Sequence, residues 1–138
     1  MMHQPLIQTA MLIDDESFDQ KMYQRIIKRS GLVAEVLPFI YADEALAYLK
    51  SPASKPIDVI FLDINMPRMN GFEFLAAATA DLGADFARMV VVMLTTSLEK
   101  SDRVRASAYP VVRRFINKPL TVDHLNDVAD LLREIKAA

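Results

Sequence analysis

Cysteine is absent from all 138 residues, which excludes disulfide frameworks, thiolate metal sites and CxxC redox motifs outright. Histidine is nearly absent: His3 stands at the N-terminus and His124 in the first turn of the last helical stretch, and neither has a catalytic partner close by in sequence. An excess of charge of one sign is missing too. A net charge of −2 and a pI near 5.6 give no general attraction to nucleic acid or anionic membrane, and the basic pairs Lys28-Arg29 and Arg113-Arg114 are too short to change that. No apolar run approaches the roughly 20 residues that a membrane helix needs. The opening MMHQPLIQTAMLI is broken by His3, Gln4, Pro5 and Gln8, so it lacks the basic start and continuous apolar core of a signal peptide. The expectation is a soluble, cytoplasmic protein with no nucleic acid and no membrane among its partners.

What is present suits one folded unit. The chain is 52% hydrophobic and 25% charged, enough to bury a core in a single domain spanning 1–138, with residues 1–8 expected to fray. Five short apolar runs, Ala10–Ile13, Val33–Val36, Ile57–Leu62, Met89–Leu94 and Val111–Ile116, alternate with five helix-like stretches. That alternation predicts an α/β domain with a parallel sheet. The first, third and fourth runs are almost wholly apolar, as strands covered on both faces must be. The second and fifth carry Glu35 and Arg113-Arg114 and read as edges. The sorting fits a doubly wound sheet in the order 2-1-3-4-5 with helices on both faces.

Helical stripes are read at Phe18, Met22 and Ile26, at Phe72, Leu75, Thr79 and Leu82, and at Leu125, Val128, Leu132 and Ile135. Ser17, Asp43, Ser97 and Thr121 are candidate N-caps, and Asn70-Gly71 marks the turn into the third helix. The fourth helical stretch, around Glu99–Ala108, has only a thin apolar stripe. No repeat or linker breaks the chain.

Chemistry collects at the strand ends. Asp14-Asp15 ends the first strand, Asp63 the third and Thr95 the fourth, while Lys118 follows the fifth. In a parallel sheet all strand C-termini lie along one edge, so these groups converge although more than a hundred positions separate them. Singly, each has an ordinary explanation as a turn former, cap or solvated charge; jointly they do not. Three gathered carboxylates repel unless cations intervene. Lys118 is one cation, and Mg²⁺ suits a few carboxylates, waters and a phosphate oxygen. An Asp carboxylate can accept a phosphoryl group, and such transfer asks mainly for positioning and charge neutralisation.

The segments MLIDDES, VIFLDINMPRMNGFEFL, VVMLTTS and FINKPL resemble the landmarks of the response-regulator receiver family of two-component signalling, across nearly the whole chain. The resemblance implies a flavodoxin-like (βα)5 fold and a Mg²⁺-dependent phosphoprotein that signals by changing shape. It implies Asp63 as phosphoacceptor and metal ligand, Asp15 as direct metal ligand, Asp14 as a ligand through water, and the Asn65 backbone carbonyl as a further ligand. Thr95 would follow the phosphoryl group, Lys118 pair with it, Phe115 act as the aromatic switch, and Asn65 and Ser97 tune hydrolysis. The Lys118-Pro119 peptide is expected to be cis. A sensor histidine kinase or histidine phosphotransfer protein would donate the phosphoryl group. No output domain is expected beyond residue 138, so the signal is expected to leave through an unidentified downstream protein, from a monomer or weak homodimer.

The sequence departs from the family's pattern at RASAYPVV (residues 105–112), which lacks the usual glycine-containing turn, and in a somewhat extended connection at Asp81–Arg88. The Thr-Thr-Ser ending of strand four is similar to receivers associated with bacterial phytochromes. Two other readings compete. A haloacid-dehalogenase-type phosphatase also uses an Asp nucleophile and Mg²⁺, but wants a second Asp where Asn65 stands. A non-switching interaction scaffold leaves the acidic set unexplained. The domain is therefore expected to signal rather than to act as an enzyme.

Overall fold

The computed structural model describes residues 5–96 and 99–137. Strands β1 (Ile7–Ile13), β2 (Val33–Phe39), β3 (Val59–Asp63), β4 (Val90–Thr95) and β5 (Val112–Asn117) form one parallel sheet in the order β2-β1-β3-β4-β5. Helices α1 (Ser17–Ser30), α2 (Ala42–Lys50), α3 (Gly71–Leu82), α4 (Ala84–Ala87), α5 (Lys100–Ser107) and α6 (Val122–Ala137) connect and cover it. This is the doubly wound order expected from the apolar runs, with the wholly buried strands β3 and β4 inside.

Alternation along the strands divides the core between the two faces of the sheet. Met11, Ile13, Ile60, Leu62, Val91 and Met93 point to one face and pack against α2 and α3 through Leu46, Leu49, Phe72 and Leu75. Ala10, Leu12, Val59, Phe61, Val92 and Leu94 point to the other and meet α1 and α6 through Tyr23, Ile27, Leu125, Val128 and Leu132. The stripe read in the last helix is thus its buried side, with Ile135 at the margin.

Several local expectations change. Ile7 and Gln8, expected to fray, belong to β1. The Asp58 carboxylate accepts from Gln8 N at 2.9 Å and Thr9 N at 3.1 Å, while Ile7 N donates to Leu32 O, and these bonds extend the strand beyond its continuous apolar run. In α1 the stripe Phe18-Met22-Ile26 marks only the rim: Met22 and Ile26 are half-buried and Phe18 is 72% exposed. The buried side is Gln20, Tyr23 and Ile27, because a polar tie made by Gln20, described below, sets the helix phase.

Ser17 and Asp43 lie inside the first turns of their helices rather than capping them. Asn70 does cap α3, in a reciprocal pair with Glu73. Thr121 Oγ1 accepts from His124 N at 3.3 Å, and the His124 ring accepts from Thr121 N at 3.1 Å. The extended connection at residues 81–88 contains the four-residue helix α4, which inserts Phe86 edge-on to Phe74.

Candidate functional site

The sheet order sets three carboxylates beside one ammonium. Asp14 follows β1 directly, Asp63 is the last residue of β3, and β1 lies next to β3. Oxygens of Asp14, Asp15 and Asp63 all lie within 4.8 Å of one another. Lys118 arrives from the end of β5, where its backbone N donates to Thr95 O at 2.7 Å and ties the tips of β4 and β5 together. Its Nζ stands 2.8 Å from Asp14 Oδ2, 3.0 Å from Asp19 Oδ2 and 3.6 Å from Asp63 Oδ1. The Lys118-Pro119 peptide is cis, as the resemblance implied.

Backbone donors complete the pocket. Asp14 Oδ1 accepts from Glu16 N at 3.0 Å, and Asp63 Oδ1 from Ile64 N at 2.9 Å. Gly71 belongs to the same construction. A Cβ there would lie 2.6 Å from the Asp63 carbonyl oxygen and 3.0 Å from Ile64 Cα, so only glycine lets α3 begin against the end of β3. Its N donates to Ile64 O at 2.8 Å.

The electrostatics follow from burial. Burial pushes the Asp63 carboxyl up to about 7, the charges of Asp14 and Asp15 add to the rise, and Lys118 and the Ile64 N–H oppose it. Burial also raises Asp14, against the opposing Lys118 contact and the Glu16 N–H. For Lys118 burial works against the charge, but the Asp14 hydrogen bond and the charges of Asp63 and Asp14 outweigh it and hold the ammonium above its ordinary range. Each gathered charge is costly alone, and the set calls for a further cation.

The remaining expected positions are less closely gathered. Thr95 is fully buried at the tip of β4, in register with Asn117. Asn65 is exposed in the loop after β3. Phe115 is half-buried on β5, in register with Met93 rather than Thr95, with the Arg103 guanidinium 5.3 Å from its ring centroid. Ser97 lies outside the described residues. Sequence reasoning missed Asp19 and Gln20. Buried Gln20 donates to Leu12 O at 3.0 Å, Asp14 O at 3.1 Å and Phe39 O at 2.9 Å, fixing the first turn of α1 to the tips of β1 and β2. The available signal was an acid in the first helical turn just after an acidic pair.

An acidic pocket with a buried lysine at the C-terminal edge of a doubly wound sheet marks the class of α/β domains that bind ligands at that edge, here with oxygen donors that suit a hard cation. Within that class, residues 10–130 match the response regulator receiver domain, and the chain belongs to that family. It is 30% identical over 96 residues to response regulator Rcp1 of Synechocystis sp., covering 67% of this chain and 64% of that protein. A two-component response regulator from Cytophaga hutchinsonii superposes with a TM-score of 0.86 at 27% identity, over 93% of this chain and 98% of that one. The bacteriophytochrome response regulator RtBRR gives 0.74 at 28% identity, over 91% and 78%. The chain spans much less of some other relatives, 14% of one and 40% of another. Receiver domains are signalling domains, and among the described residues no helix is long and apolar enough to cross a membrane.

Proposed function

We propose that this receiver domain accepts a phosphoryl group on Asp63 and passes the signal on by phosphorylation-dependent binding to a partner protein. The observation that carries this reading is the convergence of Asp14, Asp15 and Asp63 within 4.8 Å beside Lys118. In the transfer, a donor's N–P bond breaks as an O–P bond to an Asp63 carboxylate oxygen forms, and the donor imidazole keeps the electron pair of the broken bond. The donor class is a sensor histidine kinase or a histidine phosphotransfer protein, which makes the setting cytoplasmic. The match to a bacteriophytochrome response regulator makes a kinase of that type a donor worth testing.

The all-oxygen donor set suits Mg²⁺. Asp15 and Asp63 would hold the ion directly, Asp14 through water, and Asn65 by its backbone carbonyl. When bound, it neutralises charge on the transferring group. The chain's own residues do the rest. Lys118 supplies a fixed positive charge beside the acceptor. Gly71 lets α3 close against Asp63. Thr95 offers a hydroxyl to the new phosphoryl oxygens, and Phe115 repacks in response. Asn65 and Ser97 tune hydrolysis. Intact-mass spectrometry after acetyl phosphate and Mg²⁺ tests the proposal. One added phosphoryl group is expected, abolished by EDTA and in Asp63→Ala; undiminished addition in Asp63→Ala would refute it.

A further inference from the structure

The Lys118 ammonium has three hydrogens, and two of them are engaged away from Asp63. Asp14 takes one at 2.8 Å and Asp19 another at 3.0 Å, while Asp63, at 3.6 Å, lies beyond hydrogen-bonding distance. Asp19 is not one of the clustered carboxylates that could share a metal. It reaches the lysine from the first turn of α1, and the Gln20 tie to Leu12 O, Asp14 O and Phe39 O holds that turn in place. One helical turn on, Tyr23 puts its ring 5.8 Å from the same Nζ. Lysine, carboxylate and helix start are therefore fixed relative to one another before any ligand arrives. The Asp19 side chain is 23% exposed and Lys118 only 7%, so the pair is screened on one side only.

We infer that Asp19 is a positioning residue that holds Lys118 back from Asp63 in the resting domain. Each phosphorylation event must draw the ammonium out of this pairing. The inference rests on the phosphoacceptor reading above and adds to it a determinant of how readily the acceptor is filled. A carboxylate that competes for the lysine makes the anionic adduct less favourable. Its own negative charge also offsets part of the lysine's positive charge beside the acidic cluster, which favours a divalent cation there.

The two consequences have opposite signs, and damage to α1 does not produce such a pair. Asp19→Asn keeps size and polarity but gives up a charge-assisted bond. In calorimetric titrations at matched ionic strength, Asp19→Asn should bind beryllium fluoride, a phosphoryl mimic taken up by carboxylates, about fivefold more tightly at saturating Mg²⁺. It should bind Mg²⁺ alone about two- to threefold more weakly. Glu16→Gln removes an exposed charge from the same turn and should reproduce neither change. Both affinities falling together would mean a merely structural role for Asp19. No change, or the same pair of changes in Glu16→Gln, would mean that the lysine is not held by this carboxylate; any other combination overturns the inference as well. Wild-type protein that takes up no beryllium fluoride, or no more than Asp63→Asn does, would instead overturn the phosphoacceptor reading and this inference with it.

Discussion

Replacing Asp63 by Asn should stabilise the metal-free domain, and by an amount that depends on pH. The carboxyl titrates near 7 in the folded protein against 3.8 in the unfolded chain. A raised folded value means that the folded state prefers the proton. The group's contribution is therefore fully present below pH about 4 and is lost as pH rises through about 7. At about 1.4 kcal/mol per unit, the accumulated cost is near 2 kcal/mol at pH 5 and near 4 kcal/mol at pH 8. Asn cannot ionise, and its side-chain oxygen can keep the 2.9 Å bond from Ile64 N.

The stability gap between Asp63→Asn and wild type should accordingly widen by roughly 2–3 kcal/mol from pH 5 to pH 8 in EDTA, because other groups titrate alike in both proteins. For a domain of this size that is about 8 °C in melting temperature. Adding about 10 mM Mg²⁺ should flatten the trend, since a bound cation favours the ionised carboxylate, and should raise the melting point of wild type more than that of the variant. Scanning calorimetry at matched ionic strength is the assay. A gap that stays constant with pH to within about 0.5 kcal/mol would show that Asp63 ionises without penalty, and the electrostatic account of the pocket would fall.

Lys118→Ala should be less stable than wild type in EDTA by about 3 kcal/mol or more, because it leaves buried Asp14 without its 2.8 Å partner; an unchanged melting point would show that the pair contributes nothing. Thr95→Ala should still take up a phosphoryl group but transmit poorly, so amide-shift changes around Phe115 equal to those of wild type would refute the coupling. Asn65→Lys should change the decay rate of the phosphorylated protein while leaving labelling possible, which intact mass against time would show. At limiting Mg²⁺, labelling by acetyl phosphate should rise with pH around 7, because a protonated Asp63 is a poor nucleophile; a flat profile would refute this.

The fold was legible where burial alone decides it. Strands β3 and β4 bury every residue, so their apolar runs carry position and order together. Legibility failed where a polar group sets the geometry. Phe18 reads as core at helical spacing, yet Gln20 binds three carbonyls and turns α1 so that Tyr23 and Ile27 face inward instead. Gln8 joined β1 through Asp58, some fifty positions away in sequence, and Ile7 through Leu32. The acid pair, Asp63 and Lys118 were readable because strand ends in a parallel sheet must share an edge. Asp19 was not readable, because which first-turn side chain reaches a distant lysine depends on helix phase, and here buried polar Gln20 fixes that phase.

Unequal compensation within the pocket orders the events that the proposed function requires. Asp14 is the most buried of the three acids, yet it has a lysine at 2.8 Å and a backbone N–H at 3.0 Å. Asp63 has one backbone N–H and a lysine 3.6 Å away that is already paired twice. The cost of ionisation thus falls most heavily on Asp63, where burial and then the neighbouring acids favour protonation near neutral pH. A phosphoryl group adds further negative charge to the same position. The proposed transfer therefore needs added positive charge, and among the described residues two sources fit the pocket: a cation that the carboxylates would hold, and Lys118 released from Asp19. The cation can come from solvent, whereas the lysine must leave an existing partner. Under the proposed function the carboxylates would hold a cation before the transfer, and Lys118 would move with the transfer in response to the new charge.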